Sequence, residues 1–100
     1  MTTPLRLKVI WQTNLLAIAL DGSTPFNTYF LTSYYFCPRT NVWEQLKLEL
    51  DTKLWLKPNE KIVLLNNVAD IVNYWQESRD KGTLKIVKRR FTDVTFVKPN

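Results

Sequence analysis

Ile62, Leu65, Val68, Ala69, Val72 and Trp75 recur at i, i+3 and i+6/7, the spacing of one face of an α-helix over more than three turns. A stripe this long needs a second apolar surface to cover it, so it constrains the fold more than any other feature of the chain. Asn66, Asn67, Asp70, Asn73 and Gln76 fall toward the other side. The helix is expected to start near Asn59, with Glu60 in its first turn beside the positive end of the helix dipole. Gly82 stands just past its end, where a left-handed residue closes a helix.

A shorter helix is expected before it. Asn41 caps that helix, and Glu44, three residues on, reaches back to the cap's own N–H. Trp43, Leu46 and Leu50 share one face, Leu48 lies off it, and the helix runs to about Thr52. Leu54-Trp55-Leu56 reads as an apolar plug in the link, and Lys57-Pro58 ends that segment. Upstream the period changes to two. Leu5, Leu7 and Val9 alternate with Arg6 and Lys8 in a half-buried strand, and Leu15–Leu20 is an apolar run that suits a buried one. Only Thr13-Asn14 separates them, which suggests a hairpin. Residues 21–25, Asp-Gly-Ser-Thr-Pro, have turn composition. Tyr34–Cys37 is a third strand ended by Pro38, which lacks the N–H a ladder needs. The aromatics of Phe26–Phe36 are read as strand and core packing, because only Arg39 supplies a nearby cation for an RNA-stacking platform. Thr83–Val97 returns to strand-like composition and is read as a strand or an extended arm.

The order β-β-(β)-α-α-β implies an α+β fold: a small antiparallel sheet of three to four strands with two amphipathic helices packed on one face. With 100 residues, 45 % of them apolar, the chain suffices for one domain with a modest core. Residues 1–82 form the compact part, and 83–100 are a basic strand or arm of the same domain. Met1–Lys8 carry no signal-peptide pattern and no run of eighteen apolar residues exists, so the chain is read as soluble, without a membrane partner.

The charge is unevenly placed. Residues 1–78 hold seven Lys/Arg and seven Asp/Glu, so the net +5 arises wholly in the last 22 residues. Arg79, Lys81, Lys85, Lys88, Arg89, Arg90 and Lys98 stand there against Asp80 and Asp93. Such asymmetry points to a polyanion, since each cation that neutralises a phosphate releases counterions. A solvated edge strand guarded by Lys explains the same charges without a partner. Phe91 and Phe96 either stack on bases or pack on the sheet.

Catalytic chemistry has little to stand on. There is no His, and the single cysteine, Cys37, has neither a disulfide partner within the chain nor an imidazole to activate it. A Cys/His zinc site within one chain is excluded. The only glycines, Gly22 and Gly82, stand too far apart for a phosphate-cradling loop. Glu44, Glu49, Asp51, Glu60, Asp70 and Glu77 are scattered, one as a cap and the rest as solvated helix faces. No enzyme, metal or cofactor is expected.

Residues 34–55, YYFCPRTNVWEQLKLELDTKLW, resemble the signature of the plastid-specific ribosomal protein 3 family of plastids and cyanobacteria. The carrying motifs are Pro38-Arg39, Trp43-Glu44-Gln45-Leu46-Lys47 and Trp55. Leu7-Lys8-Val9, Trp11, Ala17-Ile18-Ala19, Asp21, Leu64-Leu65-Asn66 and Asn73-Tyr74-Trp75-Gln76 also match. Cys37 departs from the Trp usual before Pro-Arg, and Val42 from the usual Ala. The resemblance implies a structural, non-catalytic component of the small (30S) subunit of the plastid ribosome, or of its cyanobacterial counterpart. It would act as a monomer within the ribosome, contacting 16S-type rRNA and neighbouring proteins, with no small-molecule substrate. The expected phosphate contacts are Lys85, Lys88, Arg89 and Arg90, with Arg79, Lys81 and Arg39 behind them. A protein-interaction adaptor and a free RNA-binding regulator are the rival readings.

Overall fold

A computed structural model describes residues 5–12, 14–23, 28–37, 39–77 and 84–97. The alternation at the start builds β1 (Leu5–Trp11), which pairs antiparallel with β2 (Leu16–Ser23) from Leu5↔Gly22 to Trp11↔Leu16. The hairpin closes tightly, with the Gln12 N–H donating to the Leu15 carbonyl at 2.9 Å. Asp21-Gly22-Ser23, expected as a turn, instead continues β2. Its other edge there pairs with β3 (Thr28–Phe30), a strand that the irregular aromatic spacing did not announce. Ladder bonds on both sides outweigh the turn propensity of Asp and Gly. Asp21 is buried, and Lys8 faces it at 3.2 Å.

β4 (Tyr35–Cys37) pairs with the earlier part of the same edge of β2. Thr32 bridges the break between β3 and β4. Its hydroxyl accepts from the Leu20 N–H at 2.9 Å, while the Leu20 carbonyl accepts from the amides of Leu31 and Thr32. The strand change therefore leaves no buried donor of Leu20 unpaired.

α1 (Val42–Asp51) begins at Asn41, whose side chain accepts from the Glu44 N–H at 3.1 Å. The reciprocal bond from the Glu44 side chain is not made among the described residues. Val42, Leu46 and Leu50 are buried and Leu48 is exposed. In the following link only Leu56 acts as a plug; Leu54 is 93 % exposed and Trp55 about half exposed. α2 (Pro58–Glu77) opens on Pro58, whose missing N–H costs nothing at a first helical position. Its fully buried residues are Val68, Ile71 and Trp75, so the core-facing stripe is rotated from the expected one and Ile62 is exposed. The rotation lets Trp43 cross from α1 and donate its indole N–H to the Leu65 carbonyl at 3.2 Å.

The largest departure lies in the basic segment. Leu84–Arg90 forms a third helix, α3, and only Val94–Phe96 is a strand, β5. Thr83–Val97 is thus not one strand or an extended arm. Val87 is fully buried and Phe91, four positions on, packs against the core, a helical spacing. Lys88, Arg89 and Arg90 occupy the last turn, where cations offset the negative end of the helix dipole. After α3 the chain re-enters the sheet beside β1, and β5 pairs with it in parallel through Leu7↔Val94, Lys8↔Thr95 and Val9↔Phe96. The sheet is therefore mixed and five-stranded, in the order β3-β2-β1-β5 with β4 also on β2, where a smaller antiparallel sheet was expected. Parallel pairing follows from a long helical crossover between the paired strands. The α+β class itself holds.

Leu7 and Val9 of β1 and Leu16, Ile18 and Leu20 of β2 share a face by alternation and join one core with Val42, Leu46 and Leu50 of α1 and Val68, Ile71 and Trp75 of α2. Both long helices thus cover the same face of the sheet.

Candidate nucleic-acid interface

The expected phosphate-contacting cations that the structure describes fall on two surfaces. The first is α3 and what it leans on. Lys88 and Arg89 are exposed and make no ion pair among the described residues. Lys85 precedes them by three and four positions in the same helix, one turn away. Arg90 behaves differently: its guanidinium lies 4.9 Å from the centre of the Tyr74 ring and 5.6 Å from that of Phe91. Tyr74 is the hub of an aromatic cluster, 6.0 Å from Trp11 and 5.9 Å edge-on from Phe91. Arg90 is thereby held by a cation–π contact that fixes the end of α3 against α2. Of the expected contacts, Arg79 and Lys81 lie outside the described residues.

The second surface is a groove of about 620 Å³ between the β4–α1 link and the C-terminal half of α2. Arg39 and Thr40 form one rim, Asn73 and Gln76 the other, and Val42 and Val72 lie between. Arg39, exposed, makes no hydrogen bond or ion pair among the described residues, and none is made by the exposed amides of Asn73 and Gln76. The start of α1 opens here, adding the partial positive charge of the helix dipole. Cys37 also lines the groove. Its thiol pKa is raised by burial, a shift that the backbone N–H of Val42 partly opposes.

Arg39 therefore stands apart from the α3 cations, although the expectation grouped them together. Charge counting reached Lys88, Arg89 and Arg90 but missed Tyr74 as the ring that holds Arg90. It also missed Asn73 and Gln76 as the far rim of the Arg39 groove. Their signal was present only as the motif Asn73-Tyr74-Trp75-Gln76, whose helical spacing turns Tyr74 to one flank of α2 and Asn73 and Gln76 to the other.

Comparison with known proteins converges on one group. Residues 31–78 match the family described as plastid and cyanobacterial ribosomal protein (PSRP-3 / Ycf65). The chain is 42 % identical to the small ribosomal subunit protein cS23 of Gracilaria tenuistipitata var. liui, over 93 % of this chain and 94 % of that protein. It is 46 % identical to the cS23 protein of Cyanidium caldarium, over 74 % of this chain and 73 % of that one. A probable cS23 protein of Synechococcus sp. (strain JA-3-3Ab) is 40 % identical, over 88 % of this chain and 89 % of its own. A continuous span of 93 % of the chain takes in α3 whichever end is left out, so the similarity runs beyond the family signature into the basic helix. The chain belongs to the plastid and cyanobacterial ribosomal protein family PSRP-3/Ycf65.

Proposed function

We propose that this protein is a structural constituent of the small ribosomal subunit of a plastid or a cyanobacterium, and that it supports translation without catalysing a reaction. The observation that carries this is similarity along nearly the whole chain to proteins named as cS23 of the small subunit. In this reading the chain folds as one domain and sits as a monomer in the ribosome, in the plastid stroma or the bacterial cytoplasm. It contacts 16S-type rRNA and neighbouring small-subunit proteins. Lys85, Lys88 and Arg89 of α3 meet phosphates, with Arg90, Arg79, Lys81 and Arg39 contributing. The exposure of Lys88 and Arg89, with no ion-pair partner among the described residues, supports that role, because phosphate contacts need cations that are not already neutralised.

Sedimentation tests the assignment. The tagged protein in organelle or cell lysate should co-migrate with the small subunit after magnesium removal splits the ribosome, and persist through a moderate salt wash. A protein that stays at the top of the gradient would overturn the ribosomal assignment and favour an adaptor or a free RNA-binding regulator.

A further inference from the structure

We propose that the groove between the β4–α1 link and α2 seats one unstacked nucleotide of single-stranded RNA, with Arg39 on its phosphate and Asn73 and Gln76 on its base edge. The inference rests on the ribosomal reading and adds a site distinct from α3. The groove, at about 620 Å³, is of the size that holds small ligands, roughly 300–1,000 Å³. Its rims carry three exposed polar side chains that satisfy nothing else among the described residues: one guanidinium and two carboxamides. A guanidinium recognises a phosphate through paired N–H donors. A carboxamide offers a donor and an acceptor side by side, the pattern that reads a base edge. RNA recognition that senses sequence targets unstacked bases, whose edges are free for such pairing. The apolar floor of Val42 and Val72 suits the face of a base.

The electrostatics favour a nucleic acid over a peptide. Among the described residues that line the groove, Arg39 is the only charged one, and the dipole at the start of α1 adds to the positive potential. Asn41 lines the groove but its side-chain oxygen is engaged by the Glu44 N–H, so base reading falls to Asn73 and Gln76. Stretches 39–43 and 69–76 meet here, and Trp43 of the first bonds α2 one turn before the second, its indole N–H donating to the Leu65 carbonyl.

The test compares small subunits assembled with the wild-type chain and with the triple variant Arg39→Ala, Asn73→Ala, Gln76→Ala. The three positions are exposed, so folding is expected to survive, and a circular-dichroism spectrum checks it. Chemical probing of the rRNA bases should show one or a few single-stranded nucleotides becoming several-fold more reactive in the variant while it still sediments with the subunit. Loss of co-sedimentation by a variant with an unchanged spectrum would be the same result in stronger form. Reactivities that match wild type throughout would overturn the proposal. A photo-crosslinking phenylalanine in place of Gln76 supplies the second arm: attachment to rRNA is expected, and attachment to a ribosomal protein would assign the groove to a peptide instead. Failure of the wild-type chain to sediment with the subunit is a separate outcome, which removes the ribosomal reading and the proposal together.

Discussion

The indole N–H of Trp75 donates to the backbone carbonyl of Gln12 at 2.7 Å, tying the last full turn of α2 to the β1–β2 hairpin across 63 residues of chain. Trp75 is 1 % exposed and Gln12 half-buried, so the bond is partly shielded from water. Trp75→Phe keeps most of the packing but strands the carbonyl, and should cost roughly 1–3 kcal/mol. Trp75→Ala should cost roughly 3–5 kcal/mol. In a domain this small the second loss approaches the whole stability. Urea denaturation followed by far-ultraviolet circular dichroism measures both; equal midpoints for Trp75→Phe and wild type would show that the bond contributes nothing.

The cap at Asn41 should behave as a local device. Asn41→Ala removes the acceptor for the Glu44 N–H and is expected to destabilise by about 1 kcal/mol, whereas Asn41→Ser or Asn41→Asp should retain most of the stability. The same denaturation series ranks the three variants.

Lys88 and Arg89 carry a prediction about salt. If each meets one phosphate, the variant Lys88→Gln, Arg89→Gln should lower the slope of log affinity against log salt by about two, roughly one per contact. Binding of the purified protein to small-subunit rRNA at several salt concentrations gives the slope. Arg90→Gln should act differently, since its guanidinium stacks on Tyr74: thermal stability should fall along with affinity.

Tyr35 sets an alkaline limit. Its hydroxyl donates to Glu49 Oε1 at 3.1 Å, and its pKa is raised first by burial, then by that hydrogen bond and the negative charge of Glu49. A raised pKa means the folded state holds the proton longer than the unfolded one. The contribution is therefore complete below the ordinary tyrosine pKa of about 10 and fades as pH climbs through the higher folded value. Ultraviolet titration should show a tyrosine phase above the ordinary range, and Tyr35→Phe should abolish that late phase.

Features encoded by near neighbours were legible in the chain. The cap at Asn41, the alternation of Leu5, Leu7 and Val9, and the short break of the hairpin each involve residues close in sequence, and each appears where the spacing placed it. Ile62 misled because an apolar residue at helical spacing marks a face, not which face the sheet covers; the sheet took the one through Val68, Ile71 and Trp75. Asp21 misled for a related reason, as its turn propensity was overridden by strands on both sides.

By itself the sequence determined the α+β class, the two long helices, the concentration of positive charge in the final 22 residues and the lack of imidazole chemistry. These follow from composition and from hydrogen bonds that span a few residues. Only the tertiary structure decided that Leu84–Arg90 coils into a helix, since Lys, Arg, Ile and Val in short alternation suit either period until Val87 and Phe91 find the interior. It also decided that β5 lies parallel to β1, that Arg90 stacks on Tyr74, and that Arg39 faces Asn73 and Gln76 across a groove. Those relationships join residues from 16 to 89 positions apart, as Arg90–Tyr74 and the Arg6–Thr95 side-chain bond mark the two ends of that range. The free energy that selects them is burial summed over the whole core, and no local window of the chain contains it.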